Sequence, residues 1–272
     1  MVWEQDVRVV VMLTAEEEGG QVKSHKYWEA GNYGTLKLVA LSERRVSLDP
    51  SFLKTSPKRR SVGTALNTPA SPDLNIPYII VRKFTLEHGE HPFSPMREIT
   101  QLQYSSWPDF GAPAHPAHIL GLIDHTDAVV RSTQPTTNSP FSPQSVTNAQ
   151  RRPVLVHCSA GCGRTGTFCT VDSVLSMLRR QRLHRKRARE ESSSGGSDGE
   201  GRAGMRRLGL NDEGDGDWIT RDDEDLICKV VSDFRDQRLS MVQSLRQFVL
   251  CYETVLEWCA RQSPLDSGKR KA

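Results

Sequence analysis

No apolar run in this 272-residue chain approaches the ~18 residues that a membrane-spanning helix needs. The opening Met1-Val-Trp-Glu-Gln lacks the basic start and apolar stretch of a signal peptide. Net charge is only +3, so nothing in the overall balance calls for nucleic acid or a membrane surface. The six cysteines have no regular spacing, which excludes a secreted disulfide framework and fits reduced thiols in the cytosol or nucleus. Apolar residues are scarce as well. A hydrophobic fraction of 36% and a mean hydropathy of −0.52 are low for a wholly folded chain, as if polar inserts dilute an ordinary core. These absences leave a soluble intracellular enzyme, placed in the cytoplasm with the nucleus as second reading.

What is present centres on Arg152 to Gly166. Val154-Leu-Val156 is a short apolar run that reads as a buried strand, and Val171, Val174, Leu175 and Leu178 mark one face of a helix beyond it. Between them lie Ser159, Ala160, Gly161, Cys162 and Gly163, framed by Cys158 and Arg164. The two glycines allow a tight turn in which successive N–H groups face one spot, a nest that favours a dianion at a helix N-terminus. The same field lowers the pKa of a thiol placed there, which makes Cys158 the candidate nucleophile and the most peroxide-sensitive of the six thiols. Arg164, a few residues on, can fork two hydrogen bonds onto phosphate oxygens in a way lysine cannot. Such a site suits attack on the phosphorus of a phosphate ester. Two other readings compete. His157, Cys158, Cys162 and Cys169 could form a metal site, although Arg164 would then sit beside the cation and no outlying Cys-x-x-Cys pair completes the ligands. The glycines could also serve a purely structural turn.

Elsewhere, Val7 to Thr14 is a β-branched run expected as a buried strand, followed by a polar turn, Glu16 to Lys23. Thr35 to Val46, Tyr78 to Thr85 and Arg97 to Tyr104 are expected as strands of an antiparallel meander. In Gln103 to Pro113, two prolines and a glycine surround one carboxylate. Trp107 and Phe110 could desolvate Asp109 and raise its pKa towards that of a general acid, while an Asp that merely stabilises a turn fits the Pro-Asp-x-Gly pattern equally well. Asp-Phe-Gly is not the kinase triplet, because no Gly-rich ATP loop or His-Arg-Asp loop accompanies it. Helices are expected over Pro116 to Arg131, from the loop to about Arg180, over Asp222 to Arg235, and in a final segment with Phe248, Tyr252, Val255, Leu256 and Cys259 inward. Low-complexity, disordered inserts are expected at about 49–77, 132–150 and 185–217, with a polar tail at 261–272. The basic run Arg179 to Arg189 reads as a solvated charge run or a nuclear-localisation signal. Ser56-Pro, Thr68-Pro, Ser71-Pro, Ser139-Pro and Ser142-Pro are candidate targets of a proline-directed kinase.

Val156-His-Cys-Ser-Ala-Gly-Cys-Gly-Arg-Thr-Gly166 resembles the phosphate-binding loop of the tyrosine-specific protein phosphatases, and Trp107-Pro-Asp109 resembles their acid loop. Arg238 to Gln247 is similar to their glutamine loop, although Ser244 and Phe248 stand where threonine and tyrosine are usual. The resemblance implies one α/β domain over residues 1–260, with a mixed sheet flanked by helices on both faces. It implies hydrolysis of phosphotyrosine in proteins without metal or cofactor. Cys158 attacks phosphorus, Asp109 protonates the leaving oxygen, and Gln243 then orients water with Asp109 as base. The amides of Ser159 to Arg164 and the guanidinium hold the phosphate, and Thr165 helps the thiolate to leave. By the same resemblance Glu18 braces Arg164, Lys23 lies near the substrate, His157 belongs to the loop, Arg235 and Arg238 support the loops from below, and Gln247 stands close behind Gln243.

The resemblance is incomplete at the start. The family's domain normally opens with helices, strands and a recognition loop containing Asn-x-x-Lys-Asn-Arg-Tyr, and Met1 to Gln5 resembles the end of an internal family helix. The chain is therefore expected to be an N-terminally truncated form, with the sheet around Val7–Thr14 left with an unpaired apolar edge. Two further functional classes stay open: a catalytically weak phosphotyrosine-binding or scaffold protein, and a dual-specificity phosphatase.

Overall fold

Val9–Met12 (β1) is a run of four residues with three valines, and all four are buried, so it can only be an inner strand. In the computed structural model, which describes residues 1–48, 77–109, 111–134, 152–193 and 216–262, it is paired in parallel on both sides. The remaining strands are β2 (Glu17–Glu18), β3 (Gln21–Val22), β4 (Gly31–Tyr33), β5 (Leu36–Ser47), β6 (Tyr78–His88), β7 (Arg97–Gln103) and β8 (Val154–His157). Six of the eight described strands form a mixed sheet in the order β4-β5-β6-β7-β1-β8, while β2 and β3 make a small separate ribbon. The expected meander is present: β5, β6 and β7 pair antiparallel in chain order. The expected unpaired edge does not fall on Val7–Thr14. Among the described residues the edge strands of this sheet are β4, which is exposed, and β8, which is half-buried along its length.

Alternation along β1 divides the core. Val9, Val11 and Leu13 face the helices α1 (Pro116–Thr133), α2 (Gly163–Ser193), α3 (Leu226–Gln237) and α4 (Leu245–Arg261). Val10 and Met12 face a smaller cluster with Trp28, Leu38, Phe84, Leu86 and Ile99, covered by Val2, Trp3 and Tyr27.

Several boundaries shift. The helix after the loop does not end near Arg180 but continues to Ser193, so the third insert starts later than residue 185. Arg, Lys, Gln, Leu and Ala are good helix formers, and tertiary contacts hold the first part of this extension. Gln181 is buried and donates to the carbonyls of Trp218 and Arg221, Arg182 lies over the Trp258 ring at 4.5 Å, and Arg185 pairs with Asp222. The residues from Arg182 to Glu190 are exposed, as a solvated charge run would be. Helix α1 likewise runs to Thr133, two residues into the second insert as expected. Helix α3 begins at Leu226 because Asp225 caps it, accepting from the amides of Ile227 and Cys228. In α4 the buried face is Gln247, Leu250, Cys251, Thr254, Val255 and Trp258, whereas Leu256 is 65% exposed. The rest of the three inserts, the Ser-Pro and Thr-Pro sites and most of the tail lie outside the described residues. The ends of the first insert meet, since the Leu48 amide donates to the Pro77 carbonyl at 2.9 Å.

Candidate active site

Register brings the site together. Met12 on β1 lies level with Gln103 on β7 and with His157 on β8. The three parallel strands thus end at one edge of the sheet, where α/β folds place their ligands. Three loops leave from there: residues 13–23 with Glu18 and Lys23, residues 104–113 with Trp107 and Asp109, and Cys158 to Gly163, which runs into α2.

Cys158 is 8% exposed, and the Gly161 amide donates to its sulfur at 3.3 Å. Gly161 has φ of +70°, the left-handed conformation that turns this amide inward and that residues with a side chain resist. Burial alone would raise the thiol pKa. The hydroxyl and amide of Thr165, the Gly161 amide and the Arg164 charge together outweigh it, so the pKa lies below that of a free cysteine. Thr165 Oγ1 is buried and makes no hydrogen bond of ordinary geometry among the described residues, which leaves it available to the thiol. Burial, without a comparable set of donors to outweigh it, pushes the half-buried Cys169 and the buried Cys251 up to about 12.

Arg164 is 1% exposed. Its Nη1 donates to Glu18 at 2.5 Å and to the Trp107 carbonyl at 2.8 Å, and its Nη2 donates to Asp109 at 3.3 Å. Its Nε is buried and unpartnered among the described residues. Glu18 also accepts from the Thr14 hydroxyl and the Ala15 amide. Burial would raise its pKa, but Arg164 and Thr14 outweigh that and hold it below the usual carboxylate range. Lys23 donates to the second oxygen of Asp109 at 3.1 Å. Glu18, Lys23, Trp107 and Asp109 line a cleft of about 490 Å³.

The environment expected for Asp109 differs from the one found. Trp107 is fully buried, with its indole N–H on the Gly111 carbonyl, and it anchors the loop instead of covering the carboxylate. Asp109 is 37% exposed and lies between two cations, Lys23 and Arg164. Phe110 is outside the described residues.

The glutamine loop lies against the phosphate loop. The Val242 amide donates to the Cys162 carbonyl at 3.2 Å, and Gly166 packs so closely that a β-carbon there would lie 2.5 Å from the Val242 nitrogen. Arg235 donates to the carbonyls of Met241 and Val242, and Arg238 donates to the Ala160 carbonyl at 2.9 Å and to Cys162 Sγ at 3.3 Å. Gln243 is exposed. Gln247, 1% exposed, closes a capping box with Ser244 and accepts from the Gln243 amide at 3.0 Å, so it positions the loop as a helix cap. Ser240 and Val242 carry positive φ, +66° and +58°, which is strain for residues with side chains. Nothing in the sequence marked Val242; a branched residue in this conformation persists because Arg235 and the Cys162 carbonyl hold its backbone. His157 lies 2.7 Å from the Tyr27 hydroxyl, a partner that sequence spacing did not reveal.

A cysteine and a buried arginine in one amide-lined loop, at the carboxyl edge of a parallel sheet, define a cysteine-based phosphate-loop protein. Comparison with known proteins narrows the class. The family model for protein-tyrosine phosphatase matches residues 1–188, and the chain belongs to that family. It is 27% identical over 269 residues to tyrosine-protein phosphatase non-receptor type 9 of Homo sapiens, a match covering 99% of this chain and 33% of that protein. It is 32% identical over 191 residues to tyrosine-protein phosphatase non-receptor type ptp-2 of Caenorhabditis elegans, covering 66% of this chain and 26% of the relative. Among solved structures, the catalytic domain of human protein tyrosine phosphatase non-receptor type 18 aligns with a TM-score of 0.56 at 25% identity, over 94% of this chain and 62% of that one. The chain thus spans about a third of the length of the first of these curated relatives. Among the described residues no helix is long and apolar enough to cross a membrane.

Proposed function

We propose that this chain hydrolyses phosphotyrosine in proteins through a cysteinyl-phosphate intermediate. The observation that carries the reading is the convergence on one sheet edge of a buried, amide-facing Cys158, the buried Arg164 with its free Nε, and the Asp109 carboxylate on Arg164 Nη2. Cys158 as thiolate attacks phosphorus, and the P–O bond to the phenolate breaks as Asp109 delivers its proton to that oxygen. Water oriented by Gln243 then attacks the phosphocysteine, Asp109 takes its proton, and the thiolate leaves beside the Thr165 hydroxyl. Amides of Ser159 to Arg164 and the guanidinium hold the equatorial oxygens throughout. Lys23 holds Asp109 over the loop, and Arg235 and Arg238 keep the glutamine and phosphate loops in contact.

A protein-tyrosine phosphatase of non-receptor type 18, solved in complex with HER2 phosphopeptides, supports a phosphotyrosine peptide as the ligand class. Six free cysteines agree with a reducing, cytoplasmic setting, and hydrolysis of phosphotyrosine would give the chain a place in phosphotyrosine signalling.

The test is turnover of matched phosphotyrosine and phosphothreonine peptides by the wild type, Cys158→Ser and Asp109→Ala. Cys158→Ser should lose turnover and keep peptide binding, and Asp109→Ala should slow the chemical step by about 10² to 10⁴. Turnover retained by Cys158→Ser sinks the mechanism. Equal use of both peptides marks a dual-specificity enzyme, and binding without turnover by the wild type marks a scaffold.

A further inference from the structure

Against the smaller core cluster packs one buried cation with no place in the mechanism above. Arg82 on β6 is 7% exposed, with Glu43 on its Nε at 2.6 Å and the Trp28 ring 4.5 Å from its guanidinium carbon. Its Nη1 donates to two side-chain amides on β7, Gln101 Oε1 at 3.0 Å and Gln103 Oε1 at 2.6 Å. We propose that Arg82 is a positioning residue for the nucleophile, acting through a one-way chain of hydrogen bonds from Arg82 to Gln101, Tyr27, His157 and the Cys158 carbonyl. The inference rests on Cys158 being the nucleophile.

Direction follows from donor chemistry. A guanidinium can only donate, so each glutamine must turn its oxygen to Arg82 and its nitrogen away. Gln101 Nε2 then donates to the Tyr27 hydroxyl at 2.8 Å. Tyr27 keeps its own proton, since burial pushes its pKa up to about 12 against the opposing pull of Gln101 and Arg82. Having accepted from Gln101, the hydroxyl donates to His157 Nε2 at 2.7 Å. Burial lowers the pKa of His157, which favours the neutral ring. A neutral imidazole that accepts at Nε2 carries its proton at Nδ1, and Nδ1 lies 3.2 Å from the Cys158 carbonyl. That carbonyl shares a trans peptide plane with the Ser159 amide, so holding one towards His157 turns the other the opposite way. A permanently charged residue on β6 thereby selects the histidine tautomer and the orientation of the first peptide of the phosphate loop.

A second branch starts from the same nitrogen. Gln103 Nε2 donates to the Thr14 carbonyl at 3.0 Å, and the Thr14 hydroxyl donates to Glu18, the partner of Arg164. The two glutamines are thus matched in their contact with Arg82 and differ in what they pass it to.

Gln101→Glu reverses the first branch without changing size. A carboxylate accepts from Arg82 and from Tyr27 alike, so the Tyr27 proton turns away from His157 and the ring must shift to the Nε2–H tautomer. The full chain, labelled with ¹⁵N-histidine, should show this exchange by NMR for His157. Alkylation of Cys158 by iodoacetamide, followed on the acidic side of the thiol's own titration, should slow about tenfold, equivalent to one unit in the thiolate pKa. Gln103→Glu adds the same charge beside Arg82 but has no route to Tyr27, and should leave the tautomer at Nδ1–H. An unchanged tautomer in Gln101→Glu, or the same change in both variants, overturns the proposal. If Gln101→Glu fails to fold, Tyr27→Phe serves instead: a mixture of tautomers supports the chain, and retention of Nδ1–H alone refutes it. These readouts need no turnover, so they stand apart from the test of the phosphatase reaction.

Discussion

Glu18→Ala tests whether the anion cradle is held together from the Glu18 side. Arg164 is 1% exposed, and its closest partner is Glu18 at 2.5 Å. Breaking a buried ion pair by removing one member costs about 3–5 kcal/mol, because the other charge stays buried. Here the loss is smaller. The Glu18 side chain is 20% exposed, and Arg164 keeps the Trp107 carbonyl at 2.8 Å and Asp109 at 3.3 Å. The expected loss is therefore about 2–3 kcal/mol, or a Tm lower by roughly 4–12 °C for a domain of this size. Glu18→Gln can still accept from Thr14 and Ala15 and should lose about half as much. The linkage has a definite sign. The Glu18 pKa is depressed in the fold, so its contribution is fully present above the unfolded value of about 4.3 and disappears as pH falls through the folded value. The Tm gap between wild type and Glu18→Ala should be constant from neutral pH down to about pH 5 and close in more acidic solution. Turnover should fall further than stability does, by about 10² in kcat/KM, because a shift of ~1 Å in the guanidinium spoils phosphate alignment. Calorimetric melts from pH 3 to 8 and phosphotyrosine-peptide kinetics measure both. A Tm within 1 °C of wild type together with kcat/KM within about threefold would show that Glu18 does not brace Arg164.

Two further outcomes follow from the packing and the thiols. Gly166→Ala places a carbon 2.5 Å from the Val242 nitrogen, which is backbone and cannot swing aside, so unfolding should become easier by about 1–3 kcal/mol, with the glutamine loop displaced from the phosphate loop. In mild peroxide Cys158 should be oxidised first, its thiolate attacking one oxygen of the peroxide to give sulfenic acid and hydroxide, with activity restored by a thiol reductant. Mass spectrometry finding the exposed Cys228 or the buried Cys251 modified earlier would contradict the reading of the loop's field.

Chemistry packed into a few consecutive residues was legible from the start. Cys158, the glycines and Arg164 declare an anion loop because a turn and a helix N-terminus need only local spacing, and Val9–Met12 declares an inner strand because every residue is apolar. The reach of α2 was misjudged, since a run of arginines carries helix propensity without an apolar stripe, and the docking of Gln181 on the Trp218 carbonyl involves a residue 37 positions away. Asp109 could be picked out as a carboxylate in a turn, but its neighbours could not. Lys23 and Arg164 come from loops 86 and 55 residues distant, and Trp107 turned inward to anchor the loop. The left-handed Val242 was invisible for the same reason, being held by bonds from Arg235 and to Cys162. Residue order alone thus singled out the atoms proposed to attack and to clamp, and where the chain turns. The pairing of β1 with β7 and β8, Met12 level with Gln103 and His157, decided which of them meet and which buried groups orient them, because register between strands is set by the whole sheet and not by any one segment.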